Sequence, residues 1–356
     1  MHLAYVDTRI ENYRSEFISE LGTQFESVSI IADFCGEQID ASTIQSLHEK
    51  SLRIFSRKIV YFSSVYSCLL KIRPDVIVTG DLGLRTLLSL AYAKKYSIPI
   101  YAWARLTTWS ERRTKLPRRL LRKAILAGVT GVFVNGKEGS NYINSVHPSR
   151  AHILYQSSAH SQLVENKKVF HDLNQTRWIY VGRLVEEKGI KKFLIELAAT
   201  DFDLRKKLHL DFVGVGNLRD CLENYCITNN IDAIFHDNLN GNAIIKLLDE
   251  SDFFFFPSLG DEWGLAVVEA MNRGLPILGS SKSGAVSELS TFGEFGIIFD
   301  PYSEDQVRGA IYDALSIGHE KLRSYSDESL RLALQLELQP RKMAQKLFEV
   351  VASNRI

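Results

Sequence analysis

Short apolar runs alternate along this chain with longer stretches in which apolar residues recur three or four positions apart. Runs of four to six residues rich in Val, Ile and Phe predict strands, and the longer stretches predict amphipathic helices. In the first half the predicted strands are Leu3–Val6, Val28–Ala32, Val76–Thr79, Ile100–Trp103 and Val132–Asn135, with Pro74-Asp75 and Pro99 marking entries into two of them. After about His160 the pattern gives way to a polar stretch at 161–176, SQLVENKKVFHDLNQT, which reads as a linker. A second series follows, with strands Trp178–Val181, Leu210–Val213, Ala233–Phe235, Phe253–Phe256, Ile277–Gly279 and Gly296–Phe299. Such alternation predicts an α/β protein built on parallel sheets with helical crossovers. In the second series every glycine-rich or charged cluster follows a strand. All of them therefore fall at the carboxyl edge of one sheet, where open α/β sheets bind ligands.

A chain of 356 residues exceeds one ordinary core, so two domains are expected. The boundaries drawn from the pattern are 1–165, 166–335 and a terminal helix within 336–356. That helix shows apolar spacing at Met343, Leu347, Val350 and Val351, and Pro340 suits its first turn. A composition of 45% apolar and 24% charged residues is globular and excludes a disordered chain. No apolar run reaches the roughly 20 residues that span a bilayer. The N-terminus MHLAYVDTRIENYR carries an acid at Asp7 and lacks a long apolar core, so no secretory signal is expected. Cys35, Cys68, Cys221 and Cys226 show no metal-ligand spacing and read as reduced thiols of a cytoplasmic protein.

Charge changes the picture, because a net of +1 conceals a division. Residues 1–168 carry a net of +9 and the remainder −8. The basic excess is densest from Arg112 to Lys123, RRTKLPRRLLRK. This segment suits peripheral contact with an anionic membrane, at about 1 kcal/mol per basic residue. It equally suits a phosphate-bearing acceptor or a solvated helix face. No interleaving of aromatic and basic residues points to nucleic acid.

The candidate chemistry lies in the second half. In GRLVEEKG, Gly182, Arg183 and Lys188 stand between a strand end and a helix start, where two cations suit a diphosphate. Gly214-Val215-Gly216 is not a dinucleotide fingerprint, because Arg219 occupies the place of the third glycine. It reads as a tight turn allowing backbone approach to a ligand, or as a purely structural one. In FFFFPSLGDEWGLAVVEAMNRGLPIL, Asp261 and Glu262 enter a helix whose N-terminus at Trp263, Gly264 and Leu265 favours an anion. Glu269 sits past the first turn between Ala266-Val267-Val268 and Ala270-Met271, a costly place for a carboxylate without a partner. Two vicinal hydroxyls of a ribose would satisfy it.

Taken in order, GRLVEEKG, FVGVG, PSLGDEWGLAVVEAMNRGLP and SGAVSEL resemble the donor domain of retaining glycosyltransferases of family 4 over about residues 178–300. The resemblance implies a GT-B fold, two facing Rossmann-like domains with a nucleotide-sugar in the cleft. It also implies an N-terminal acceptor domain to which the terminal helix returns. On that basis Arg183 and Lys188 are the diphosphate pair, Glu269 holds the ribose hydroxyls, and Asp261 stands where a glutamate usually meets the sugar. Trp263, Gly264 and Leu265 match the loop that meets sugar and phosphates, while Gly214, Gly216 and His236 fall near the base. Asp261 is one methylene shorter than the family's usual glutamate. The first strand is followed by VDTRIENYR in place of a glycine-rich loop, and Arg105 and Glu111 are left as candidates for the sugar or the acceptor.

The expected activity is retaining, metal-independent transfer from a nucleoside-diphosphate sugar to a glycan or polyprenyl-linked acceptor, in surface polysaccharide biosynthesis and without a cofactor. A sugar phosphorylase, a nucleotide-sugar epimerase and a non-catalytic partner subunit of the same fold stay open as alternatives.

Overall fold

A computed structural model of the protein describes residues 1–36, 44–46, 51–54, 57–60, 63–158, 161, 163–164, 170 and 175–353. The chain divides into two compact units, Met1–Ala159 with Pro340–Ile356, and His160–Gln339. Most of the linker expected at 161–176, together with the boundary drawn at 165/166, lies outside the described residues.

The first unit is built on a seven-stranded sheet. Its strands are β1 (His2–Val6), β2 (Ser27–Ala32), β3 (Ile44–Ser46), β4 (Val76–Thr79), β5 (Ile100–Ala104), β6 (Gly131–Val134) and β7 (Ala151–Ile153). They run parallel in the order β7-β6-β5-β4-β1-β2-β3. Residues of β4 and β5 are buried throughout, as strands covered on both faces require. The helix Pro340–Ser353 belongs to this unit. Its Met343, Ala344, Leu347 and Val351 share one core with Leu3, Tyr5, Phe17 and Leu21. Phe348 meets the Phe25 ring edge-on at 5.0 Å.

The second unit holds a six-stranded parallel sheet: β8 (Thr176–Val181), β9 (Leu208–Val213), β10 (Ala233–His236), β11 (Phe253–Phe256), β12 (Ile277–Ser280) and β13 (Gly296–Phe299). The order is β10-β9-β8-β11-β12-β13. The chain leaves β8 toward one edge and returns at β11 to build toward the other, so the order reverses between these two strands. Crevices form at such a switch point, outside the carboxyl ends. The four phenylalanines of β11 are all buried, and Tyr180, Phe193 and Phe212 lie 5.1–5.8 Å from the Phe255 ring.

Every strand expected from the apolar pattern is present, three with the expected ends and the rest shifted by one or two residues. β3 and β7 were not expected. β7 has three half-buried residues and no apolar run, so it owes its strand state to pairing with β6.

Candidate functional site

The switch point of the second sheet brings together two loops far apart in sequence. After β8 the chain turns through Gly182 and Arg183 into a short 3-10 turn, Glu186–Lys188. After β11 it passes through Pro257 and Ser258 to Asp261. The loops are tied by Leu259 N–H donating to the Glu187 carbonyl at 3.0 Å, with the Ser258 hydroxyl at 3.3 Å from the same oxygen. In that setting the Lys188 ammonium pairs with the Asp261 carboxylate, both largely buried. Lys188 also stands 5.3 Å from the Phe256 ring centroid, a cation–π placement.

Asp261 is held from several sides. Its backbone bridges Ser283, donating to Lys282 O and accepting from Gly284 N at 3.1 Å each. Its second carboxylate oxygen accepts the Trp263 amide at 3.3 Å. Trp263 is buried, and its carbonyl accepts from Ala285 N at 2.7 Å and the Ser283 hydroxyl at 3.0 Å. The loop following β12 is thus the floor of the site. Ser283 and Gly284 open the SGAVSEL motif noted in the sequence, where neither was given a role in the site.

Gly264 opens the helix Leu265–Asn272 with φ 100°, a conformation side-chain-bearing residues rarely adopt. A Cβ there would crowd the Ser283 hydroxyl at 2.9 Å. Val267 N donates back to the Gly264 carbonyl at 3.0 Å, and the N–H groups ahead of it precede any intrahelical acceptor and carry the positive end of the helix dipole. Glu269, 7% exposed, lies on this helix. Leu265 and Glu262 are half-buried near its start.

Arg183 is placed differently from Lys188. Its side chain is 67% exposed and its guanidinium meets Glu187 at 2.6 Å. The backbone beneath it is fixed, because the Tyr180 hydroxyl donates to the Arg183 carbonyl at 2.9 Å. Burial, and then the nearby Asp261 charge, push the Tyr180 phenol far up, so this donor stays protonated.

The Gly214–Gly216 turn serves the chain itself. Gly214 has φ 138°, and a Cβ there would overlap the Gly182 carbonyl oxygen. The strand-end loops of β8 and β9 approach each other here, with Leu184 N donating to Val215 O at 2.9 Å. His236 ends β10 with Nε2 at 2.7 Å from Asp211, a fully buried carboxylate that Arg177 also meets at 2.6 Å. Burial alone would raise the Asp211 carboxyl, but the Arg177 and His236 hydrogen bonds outweigh it and hold the group below its ordinary 3.8. An ionised carboxylate only accepts, so His236 donates through Nε2.

In the first unit the carboxyl edge carries an ionic network in place of a glycine-rich loop. Asp7, after β1, accepts from Arg14 at 2.7 Å, and both are buried. Arg105 donates to Gly80 O at 2.7 Å and stands 3.3 Å from Asp7. Glu111 is not available to a sugar. Arg122, Thr114 and Tyr142 surround its carboxylate, and it is buried with Arg122. Arg122 is therefore withdrawn from the basic surface expected over Arg112–Lys123. Residues 112, 113, 115, 118, 119 and 123 of that segment remain exposed.

Residues 162–330, nearly the whole second unit, match the family described as glycosyl transferases group 1. This stretch is similar to the group 1 glycosyl transferases. Among curated relatives, the sulfoquinovosyl transferase of Arabidopsis thaliana is 23% identical over 264 residues, 67% of this chain and 49% of the plant protein. The lipopolysaccharide glucosyltransferase WaaG of Escherichia coli is 23% identical over 182 residues, 48% of each chain. The chain spans about half the length of these two curated relatives. Among solved structures, Anabaena HepE in complex with UDP superposes with a TM-score of 0.78 at 13% identity, covering 99% of this chain and 100% of that one. The likeness shows the fold, and the two parallel-sheet units are those of GT-B. No described helix is long and apolar enough to cross a membrane.

Proposed function

We propose that the protein is a retaining glycosyltransferase that moves a sugar from a nucleoside diphosphate to a hydroxyl of a glycan or lipid-linked acceptor, with no metal taking part. The observation that carries this reading is the meeting of Lys188 and Asp261 at the switch point, beside a Gly264 helix start whose helix carries buried Glu269, in a stretch that matches the group 1 glycosyl transferases. In the reaction the bond from the anomeric carbon to the diphosphate breaks, and one to the acceptor oxygen forms on the same face. The acceptor's proton passes to the departing phosphate. Charge then builds on the diphosphate, and Lys188 with the first-turn N–H groups after Gly264 supplies fixed positive potential there. Arg183 reaches the same charge by exchanging Glu187 for phosphate, an exchange its exposure permits.

The nucleotide is read as UDP on the strength of UDP bound to HepE. A surface polysaccharide or glycolipid setting is supported by the lipopolysaccharide and sulfoquinovosyl activities that the relatives' names carry. The helix Leu116–Leu126 supports a cytoplasmic protein that meets the membrane peripherally. Leu116 and Leu120 are 67% and 58% exposed among basic neighbours. A thermal-shift panel of UDP-, GDP- and ADP-sugars tests the donor reading. A true donor at 100 times its Kd stabilises the protein by about 2.7 kcal/mol. Loss of transfer in Lys188→Ala and Glu269→Ala, with folding intact, is the accompanying result. Full activity in both, or no response to any of the three donors, refutes it.

A further inference from the structure

We propose that Asp261 is a positioning residue for Lys188 and acts on the diphosphate through it, instead of contacting the sugar. The inference rests on the donor reading given above. One Asp261 oxygen accepts from the Lys188 ammonium and the other from the Trp263 amide at 3.3 Å. Hydrogen bonds of 3.1 Å on either side, to Lys282 O and from Gly284 N, clamp the Asp261 backbone against the loop after β12. The carboxylate therefore sits on a short, pinned arm directed at the loop after β8. Lys188 in turn is fixed on three counts. Its turn is tied to Leu259, its ammonium lies over Phe256, and its charge meets Asp261. A lysine stem otherwise loses much rotamer freedom on meeting a phosphate. A carboxylate that holds the ammonium in place beforehand removes that cost, as the lysine–glutamate pair does for the nucleotide phosphates of protein kinases.

The two roles for Asp261 separate by ligand. A sugar contact matters only when the sugar is present, whereas a lysine holder matters equally for the bare diphosphate. The experiment titrates wild type, Asp261→Asn, Lys188→Ala and the double variant with UDP and UDP-glucose by calorimetry, with GDP or ADP and their glucosyl esters if the wild type takes another base. Asp261→Asn is expected to weaken both ligands by the same factor, about 5- to 30-fold. In the Lys188→Ala background the second substitution is expected to change nothing further, which a general loosening of the loop would not reproduce. Asp261→Ser serves the same cycle if the asparagine variant melts early. The proposal is overturned if Asp261→Asn leaves UDP binding unchanged or tighter. It is also overturned if the sugar nucleotide loses more than twice what UDP loses, or if the full loss persists without Lys188. Absence of binding by wild type to all three diphosphates overturns the donor reading and this inference with it. Binding by wild type without any effect of Asp261→Asn overturns this inference alone.

Discussion

Glu269→Gln is the sharpest perturbation of the second unit. The side chain is buried on the helix that Gly264 opens, so the substitution preserves shape and removes only charge and one acceptor oxygen. A hydrogen bond to a charged group contributes about 1.5–3 kcal/mol, and a carboxylate spanning a ribose diol offers two. Glutamine keeps one neutral acceptor and presents an NH₂ to the other hydroxyl. The net loss is on the order of one charged bond, about 10- to 150-fold in Kd. The melting temperature of the variant is measured beside its affinity, and binding is compared under conditions where both proteins are fully folded, so that weakened binding is separated from unfolding. The assay compares UDP with 2′-deoxy-UDP on wild type and variant. Wild type should favour the ribose form by roughly tenfold, and Glu269→Gln should lose most of that preference. Equal discrimination by the two proteins, or unchanged UDP affinity in the variant, refutes the assignment of Glu269 to the ribose.

Four further outcomes follow from the geometry. Arg122→Met strands the buried Glu111 carboxylate and should cost about 3–5 kcal/mol by chemical denaturation, whereas Arg118→Met and Arg119→Met on the exposed face should cost almost nothing. Flotation with anionic liposomes should fall sharply in Leu116→Ser/Leu120→Ser, while equal flotation of wild type and variant, or none by wild type, removes the membrane from the account. Asp211 is held below its ordinary value, so its stabilisation is fully present above the unfolded carboxylate range and is lost as pH falls through the lower folded value. Asp211→Asn should therefore be less stable than wild type at neutral pH, with the difference shrinking as the solution is acidified. Burial pushes the Cys226 thiol up to about 12, so native alkylation should modify exposed Cys221 and spare Cys226, as peptide mapping will show.

The strands were legible wherever burial on both faces made them continuous apolar runs, as with Phe253–Phe256 and Ile100–Ala104. Short β7 was not, because its three half-buried residues carry no periodic signal. Glu269 announced itself by being a carboxylate at an apolar helical position. Glu111 did not, and an acid beside a basic run gave no sign that Arg122 would turn inward to cover it. The Gly214–Gly216 turn was visible as two glycines. Only the structure shows that Gly214 admits the Gly182 carbonyl, a demand of chain against chain.

By itself the sequence determined the fold class and the succession of elements, because strand period, helix spacing and glycine placement are local properties. It also placed Lys188 and Asp261 at strand ends of one sheet. What the tertiary structure decided is which groups meet. The reversal of strand order between β8 and β11 sets the loops carrying Lys188 and Asp261 side by side, 73 residues apart in the chain. Arg183, five residues from Lys188 along the chain, is sent outward to Glu187. Pairing of charges follows distance in space, and a parallel sheet with crossovers makes that distance nearly independent of separation along the chain.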